Sequence, residues 1–238
     1  MDKTNRVNGQ IRKIRSFVRR AGRTTNAQSR AMNELAPQFL IPFTHAALDW
    51  SVFEHTPDQD SCSQKILEIG FGMGETTEQI ALARPQDNFL GVEVFNAGVG
   101  ALLKRIETSA LENIRIIQHD AVEVLEDTIA DNSLDTVQLF FPDPWHKKRH
   151  HKRRIVQPEF VQLLRRKLKP GGVFHMATDW ENYAEHMLEV MKVAEGYSNL
   201  SETNDYVPRP EHRPLTKFEN RGVNLGHGVW DLMFRKES

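Results

Sequence analysis

The 238-residue sequence has one cysteine, Cys62, and no long apolar run. A single cysteine excludes an intramolecular disulfide and a zinc site with several cysteine ligands, and it is compatible with the reducing cytoplasm. No stretch approaches the roughly 18 apolar residues that a membrane-spanning helix needs. The charged N-terminal residues are not followed by an apolar segment, so we expect no secretory signal. These absences predict a cytoplasmic protein without a membrane partner.

Metal binding is not expected either, although the chain has ten histidines. His146, His150 and His151 lie among lysines and arginines. Because a metal site needs charge compensation and fixed geometry, a surrounding positive field disfavours a cation there. We therefore predict no structural metal.

Charge is strongly segregated along the chain, although the net charge is only -1. The net charge is +8 over residues 1–30, -14 over 31–145, +9 over 146–172 and -4 over 173–238. Such segregation predicts a basic surface beside an acidic pocket, rather than an evenly mixed surface. Residues 1–30 have few apolar side chains and are predicted to form a flexible N-terminal arm.

Strands alternate with helices from residue 65 onward. Apolar runs predict strands over residues 66–69, 89–94, 114–117, 134–141, 173–177 and 229–234. Helical spacing predicts helices over residues 75–84, 97–111, 121–130, 160–168 and 181–194, and a further helix around residues 43–53. The segment K-P-G-G at 169–172 is a strong helix-stop signal. This alternation predicts an α/β fold, with a mainly parallel sheet covered by helices on both faces.

Five carboxylates follow successive predicted strands: they are Glu68, Glu93, Asp120, Asp143 and Asp179. The carboxyl ends of parallel strands meet at one edge of the sheet, where ligands bind, so we expect these acids to face a common site. Each acid alone also fits a turn former or a helix cap. Five in succession favour a binding site.

The first of these strands runs into a glycine loop, G-F-G-M-G, at residues 70–74. Glycine permits a sharp turn and the close approach of a ligand to the backbone. The dinucleotide fingerprint G-x-G-x-x-G would need glycine in place of Glu75, and a pyrophosphate at this helix N-terminus would face that acid. The loop therefore disfavours nicotinamide and flavin dinucleotides, and it favours a nucleoside cofactor without phosphate.

The acids suggest a role for each part of such a cofactor. Glu93 lies 19 residues after Gly74 and is placed to accept both ribose hydroxyls. Asp120 is placed to accept from an adenine amino group, and Glu68 to hold an ammonium. Adenine, ribose and a positive tail match S-adenosylmethionine, whose sulfonium suits the acidic segment.

A polycation follows the fourth of these strands. Residues 146–154 read H-K-K-R-H-H-K-R-R, directly after P-D-P-W at 142–145. Lysine and arginine bind nucleic-acid phosphates by displacing counterions. The combination of Asp143, a neighbouring aromatic and a polycation favours a site that acts on a base held in a polyanion. A solvated basic loop is the alternative, and Trp145 fits either base stacking or a core position.

The sequence resembles the bacterial tRNA (guanine-N7-)-methyltransferase family, of the TrmB type. The segments that carry the resemblance are L-E-I-G-F-G-M-G-E, L-G-V-E-V, Q-H-D-A, F-F-P-D-P-W-H-K-K-R-H-H-K-R-R and T-K-F-E. The resemblance implies a class I S-adenosylmethionine-dependent methyltransferase domain over residues 31–238, with a Rossmann-like seven-stranded sheet whose last strand is antiparallel. It also implies methylation of N7 of a guanine in the variable loop of tRNA. The sequence leaves both a monomer and a homodimer open.

The resemblance implies roles for individual residues, with Asp143 as the catalytic residue. With the glycine loop, the implied cofactor site consists of Glu68, Gly70, Gly72, Gly74, Glu93, Asp120 and Asp143. The implied substrate contacts are Lys147, Asp179, Thr216, Lys217, Phe218 and Glu219. The implied RNA-binding residues are Arg149, His150, His151, Lys152, Arg153 and Arg154.

Two other functions stay open at this stage. Amino-methyltransferases that act on adenine have a D/N-P-P-aromatic loop after the fourth strand, whereas P-D-P-W has a tryptophan after its second proline but no adjacent prolines. A non-catalytic RNA-binding module would explain the basic run, but the intact glycines and acids argue against it.

Overall fold

The computed structural model describes residues 14–18, 24–53, 63–215, 219 and 228–238, together with the backbone of residues 6–7 and 10–11. Its strands are β1 (Arg6–Val7), β2 (Gln10–Ile11), β3 (Lys65–Ile69), β4 (Asn88–Val92), β5 (Ile114–Ile117), β6 (Leu134–Phe140), β7 (Leu168–Thr178), β8 (Tyr197–Asn199) and β9 (Trp230–Lys236). Its helices are α1 (Asn26–Phe39), α2 (Glu75–Ala83), α3 (Asn96–Ser109), α4 (Ala121–Asp127), α5 (Pro158–Lys167) and α6 (Glu181–Lys192), with 3₁₀ helices at Trp50–Phe53 and Lys148–Arg153.

Seven strands form one sheet in the order β5-β4-β3-β6-β7-β9-β8. Neighbours from β5 to β7 are parallel, and β9 runs antiparallel between β7 and β8. This confirms the predicted mostly parallel, Rossmann-like sheet with an antiparallel last strand. The order reverses at β3, which has β4 on one side and β6 on the other, and ligands bind at such switch points in parallel sheets.

Helices cover both faces of the sheet. The central strands are apolar and buried; all four residues of β5 are buried, as are four of the five in β3. Strands buried on both faces have such continuous apolar runs. One core lies between the sheet and helices α1, α2 and α3, and the other lies between the opposite face and helices α4, α5 and α6.

The region before the first sheet strand differs from the prediction. The predicted helix around residues 43–53 is wrong except for the 3₁₀ turn Trp50–Phe53, and the long helix of this region is α1. A capping box starts α1, in which Thr25 and Gln28 each bond the other's backbone N–H. Pro37 lies inside its last turn. Proline and sparse apolar residues weakened the helical pattern of this segment.

Strand β7 also begins earlier than predicted. It follows α5 directly and includes the segment K-P-G-G, whereas the prediction began at residue 173. Gly171 has a φ of +80°, and the register with β6 shifts between Leu134 and Thr136. The stop signal therefore marks a β-bulge at the start of the strand as well as the end of the helix. The short strand β8 was not predicted.

The described residues were compared with the requirements of a membrane span and of a metal site. In the described ranges, no helix combines the length and hydrophobicity that a membrane crossing requires. Among the same residues, no group of three or more His, Cys, Asp or Glu side chains is arranged to hold a metal ion.

Candidate active site

A cavity of about 240 Å³ lies at the carboxyl ends of β3, β4 and β6, and we call it the inner cavity. Its polar lining includes the glycine loop, Glu93 and Asp143, and its apolar lining includes Val92, Leu139 and Ile155. Apolar walls with a few placed polar groups are typical of a small-molecule site. The position is the switch point of the sheet, where the sequence predicted a ligand.

The glycine loop adopts backbone conformations that favour glycine. Gly70, Gly72 and Gly74 have φ values of +72°, +56° and +72°. Gly74 is the N-cap of α2, and a Cβ added there would lie 2.8 Å from Leu102 Cδ1. Gly70 and Gly72 line the inner cavity, whereas Gly74 is needed for the turn and for packing against α3.

Glu93 fixes this loop to the second parallel strand. Its Oε2 accepts a hydrogen bond from Gly72 N at 3.1 Å, and its Oε1 accepts from Val94 N at 2.6 Å and Phe95 N at 3.1 Å. The side chain is buried, and burial raises the pKa of Glu93 while the three N–H donors oppose that rise. The backbone donors therefore hold the carboxylate rigidly at the cavity wall.

Glu68 lies deeper than the other acids. Its side chain is only 3% exposed and is not among the residues that line the inner cavity. Within the described part of the chain, its Oε2 has no hydrogen-bond partner. Burial raises the pKa of Glu68 to about 7; the Thr77 hydroxyl opposes this rise, and the nearby Glu93 carboxylate adds to it. A buried carboxylate oxygen of this kind suits a cationic or hydrogen-bonding ligand group.

Asp120 caps a helix, which is the alternative role expected for an acid at the end of a strand. It is the N-cap of α4, and its Oδ1 accepts from Val122 N at 3.0 Å. It lines a neighbouring groove of about 680 Å³, together with Arg15, Glu123 and Arg153. Its chain neighbours His119 and Ala121 line the inner cavity instead. The cofactor role of Asp120 stays a prediction.

Asp143 lies where two cavities meet. It lines the inner cavity and also an outer cavity of about 640 Å³, as Gly72, Glu93 and Phe95 do. Trp145, His146 and Lys147 line the outer cavity alone. Phe141 and Trp145, on either side of P-D-P, have φ values of +51° and +49°. Such conformations are uncommon for bulky residues and concentrate at functional sites. The carboxylate is therefore held on a constrained loop, exposed to both cavities.

The basic run occupies the same edge of the sheet. Residues 148–153 form a 3₁₀ helix in which Lys148, Arg149 and Lys152 are exposed, and Lys147 precedes it. His150 lines the outer cavity, and Lys152, Arg153 and Arg154 line the neighbouring groove. Of the five predicted acids, Glu93 and Asp143 share the outer cavity with Lys147 and His150, and Asp120 shares the groove with residues 152–154; Glu68 and Asp179 line neither.

Arg154 does not fit the solvent-facing role implied by the resemblance. Its side chain is buried, and its Nε donates to Pro144 O at 3.0 Å. One NH2 hydrogen bond reaches Asn182 Oδ1 at 2.8 Å, and the guanidinium lies 4.8 Å from the Tyr183 ring centroid. Arg154 therefore ties the P-D-P-W loop to α6, as a positioning residue.

The remaining predicted substrate contacts divide into three groups. Asp179 is exposed directly after β7. Thr216, Lys217 and Phe218 lie outside the described residues. Glu219 is buried, and its Oε1 accepts from Arg213 NH1 at 2.7 Å, so its observed contact is an internal ion pair.

Comparison with known proteins agrees with this geometry. A family model described as "Putative methyltransferase" matches residues 63–232. The tRNA (guanine-N(7)-)-methyltransferase of Shewanella amazonensis is 60% identical over 227 residues, which cover 95% of this chain and 93% of the relative. That of Pseudomonas entomophila is 58% identical, with coverages of 94% and 92%. The chain belongs to the tRNA (guanine-N(7)-)-methyltransferase family.

Solved structures support the fold of this family member. The crystal structure of the 16S rRNA methyltransferase KamB matches with a TM-score of 0.56 and 14% identity, over 80% of this chain and 95% of that one. The antibiotic-resistance methyltransferase Kmr matches with a TM-score of 0.54 and 14% identity, over 83% and 95%. The sheet is thus that of the class I S-adenosylmethionine-dependent methyltransferases.

Two features of this methyltransferase site were not predicted from the sequence. Ser16 and Phe17 line the inner cavity, and Trp145 Nε1 donates to Ser16 O at 3.1 Å. Nothing in the basic composition of residues 1–30 indicated this contact. The second feature is Gly98, which lines the outer cavity at the start of α3. A glycine inside a helical pattern was the available signal.

Replacing Gly98 by alanine should weaken cofactor binding. The new Cβ would lie 2.4 Å from Gly72 O and 3.2 Å from Glu93 Cγ, so the glycine loop would have to move. Overpacking of this kind costs about 1–3 kcal/mol. We expect roughly a tenfold or larger loss of S-adenosylmethionine affinity, since tenfold corresponds to about 1.4 kcal/mol. Isothermal titration calorimetry measures the affinity for S-adenosylmethionine in the parent and in the variant.

Gly100→Ala is the matched control on the same helix. Its Cβ would meet Gln28 Cβ at 2.9 Å, on the side that faces α1. This variant should lose thermal stability and keep its cofactor affinity. Equal affinity losses in both variants would show that the effect comes from α3 in general and not from the glycine loop.

Proposed function

We propose that this protein transfers a methyl group from S-adenosylmethionine to N7 of a guanine in the variable loop of tRNA. The observation that carries the proposal is the position of Asp143, which is shared between an acidic inner cavity and an outer cavity bordered by the basic run. A methyl donor and a base held in a polyanion can meet at this point. The single cysteine is compatible with work in the cytoplasm.

The inner cavity fits the cofactor by its donor set. Glu93 and Asp143 provide negative charge, and the backbone of Gly70 and Gly72 is open to close approach. S-adenosylmethionine supplies an electrophilic methyl group on a positively charged sulfonium. The residues of the chain bind and orient this cation, and Glu93 holds the loop on which it rests.

Asp143 is proposed to act through charge and position. Guanine N7 has a free lone pair and no proton at neutral pH, so no residue needs to remove a proton from it. Methyl transfer moves positive charge onto the purine. A fixed carboxylate beside the base stabilises that developing charge and orients the ring, and the alignment of two bound reactants lowers the barrier further.

Incubation with labelled S-adenosylmethionine and unmodified tRNA, followed by nucleoside analysis, tests the function directly. The expected product is 7-methylguanosine, located in the variable loop by sequencing of the modified tRNA. A methyl group on an exocyclic amine would assign the protein to the other enzymatic class. Binding of tRNA without cofactor affinity or turnover would indicate a non-catalytic RNA-binding module.

Neutralising the exposed side of the basic run should weaken tRNA binding and flatten its salt dependence. We expect the triple variant Lys148→Gln, Arg149→Gln, Lys152→Gln to lower the slope of log K against log salt by roughly 0.7–0.9 for each lost phosphate contact. Affinity for S-adenosylmethionine should stay unchanged, because these side chains do not line the inner cavity. Fluorescence anisotropy across a salt series measures the slope.

The control triple variant carries the same charge change elsewhere. Lys104, Lys192 and Arg235 are exposed on α3, α6 and β9. Neutralising them should leave the slope of log K against log salt equal to that of the parent protein. An identical decrease in both triples would mean that overall charge, rather than the basic run, attracts the RNA.

A further inference from the structure

Trp180 is an exposed tryptophan at the carboxyl edge of the sheet. It follows Asp179 at the end of β7 and is the N-cap residue of α6. Its side chain is 40% exposed, and its backbone N–H donates to Thr178 Oγ1 at 3.3 Å. The backbone is thus fixed while much of the indole faces solvent. Tryptophan is highly buried on average, so an indole exposed to this extent indicates a surface that binds another molecule.

The indole lies beside the outer cavity. Its ring centroid is 4.2 Å from that of His146, with an interplanar angle of 75°. His146 is exposed and lines the outer cavity, next to Lys147. This edge-to-face contact leaves ring surface available for stacking on a further planar group. The partner that the surroundings favour is planar and attached to a polyanion.

The other three tryptophans are only partly exposed, and the structure describes all four. Trp145 donates from Nε1 to Ser16 O, and the Arg153 guanidinium lies 5.1 Å from its ring centroid. Trp50 stacks on Phe53, and Trp230 packs against Tyr206. Trp145, the sequence-based candidate for base stacking, is therefore occupied by contacts within the chain. Trp180 has the largest exposed fraction of the four tryptophans.

We propose that Trp180, oriented by His146, is a stacking platform for a tRNA nucleobase at the mouth of the outer cavity. The inference rests on the proposed function and adds a substrate-contacting residue to it. Sequence-specific RNA recognition uses unstacked bases laid on aromatic side chains. A base drawn toward Asp143 loses its neighbours in the RNA stack, and an indole at the entrance replaces part of that contact.

The test compares Trp180→Ala, Trp180→Leu and Trp180→Phe in the full-length protein. Base–aromatic stacking predicts that the alanine and leucine variants bind tRNA about 5- to 150-fold more weakly. The phenylalanine variant should stay close to the parent, because it keeps an aromatic face. The slope of log K against log salt should not change in any of them, since stacking releases no counterions. If Trp180→Ala does not fold, comparing tRNA binding by Trp180→Leu with that by Trp180→Phe still shows whether an aromatic ring is needed.

Acrylamide quenching of tryptophan fluorescence provides a second readout. Addition of tRNA should shield a tryptophan of the parent protein, and this shielding should be missing from Trp180→Phe. Val193→Ala is the control, because Val193 follows the other end of α6 and is 77% exposed. It should behave as the parent in both experiments.

Three results would overturn the inference: unchanged tRNA binding by Trp180→Ala and Trp180→Leu, a salt slope lowered as in the basic-run variant, or equal losses with leucine and phenylalanine. A parent protein that produces no 7-methylguanosine contradicts the proposed function instead. A parent that methylates tRNA, with Trp180 variants that bind it normally, contradicts the stacking inference alone.

Discussion

Replacement of Asp143 by asparagine should lower turnover on tRNA by about 10²-fold or more, the range seen when one preorganised electrostatic group is removed from a transition state. Asparagine keeps the shape of the side chain and removes its charge. Asp143 borders both cavities and is exposed to them, so the substitution leaves no buried group without a partner. Stability should therefore be retained, and single-turnover kinetics with saturating cofactor measures the chemical step.

The distribution of the loss between kcat and KM identifies the role. Loss of a transition-state interaction lowers kcat and kcat/KM equally, whereas loss of uniform binding raises KM alone. Asp205→Asn is the control, since Asp205 is exposed in the loop after β8, away from both cavities. It should match the parent. Near-normal turnover by Asp143→Asn would refute the charge role and leave Asp143 as a residue of the cavity wall.

The sheet could be predicted because its central strands consist of continuous runs of apolar residues. Strands β3, β4, β5 and β6 agree with the predicted ranges within two residues at each end. The glycine loop and the acids after these strands then followed from topology, because the carboxyl ends of parallel strands share one edge. Gly72, Glu93 and Asp143 do line one cavity.

Side-chain direction was beyond the reach of the sequence. Arg154 belongs to the basic run by composition, yet it is buried against Pro144 and Asn182, while Arg149 in the same run is exposed. A run of like charges predicts a positive surface, but the backbone path decides which members reach solvent. Trp180 shows the same limit, because its exposure depends on the turn between β7 and α6.

Contacts between distant segments were also unpredictable. The bond from Trp145 Nε1 to Ser16 O joins residues that are 129 positions apart, and neither segment has a periodic pattern. Such contacts depend on tertiary packing, which local propensity does not encode. For the same reason, no sequence pattern indicates the buried position of Arg213, a single arginine in a proline-rich segment.

Arg213 is the centre of a buried ion cluster next to the P-D-P-W loop. Its side chain is 1% exposed, its Nε and NH2 donate to the two carboxylate oxygens of Asp231 at 2.7 Å each, and its NH1 donates to Glu219 Oε1 at 2.7 Å. His175 Nε2 lies 2.8 Å from Asp231 Oδ1. The guanidinium is 5.6 Å from the ring centroid of Phe141, two residues before Asp143. The cluster thus joins β7, β9 and the segment before Glu219 to the loop that presents Asp143.

Arg213→Met should reduce the free energy of unfolding by about 3–5 kcal/mol at neutral pH, since removing one partner leaves a buried charge uncompensated. Burial opposes the charge of Asp231, but hydrogen bonds from His175 and Arg213 hold the pKa of Asp231 below its usual value. Without Arg213 that pKa rises. The stability deficit should therefore be full above the raised pKa of Asp231 in the variant, and it should disappear as the pH falls to the lowered pKa of Asp231 in the parent. Urea unfolding across pH measures it.

A second substitution separates charge from packing. Asp231→Asn in the Arg213→Met background removes the buried charge and should recover part of the loss, as expected for residues that share one network. Lys169→Met breaks the more exposed pair with Asp135 and should cost about 1 kcal/mol or less. The contrary result is a stability deficit of Arg213→Met that does not vary with pH and that Asp231→Asn does not reduce. It would mean that Arg213 stabilises the fold by packing against Phe141 rather than by compensating buried carboxylate charge.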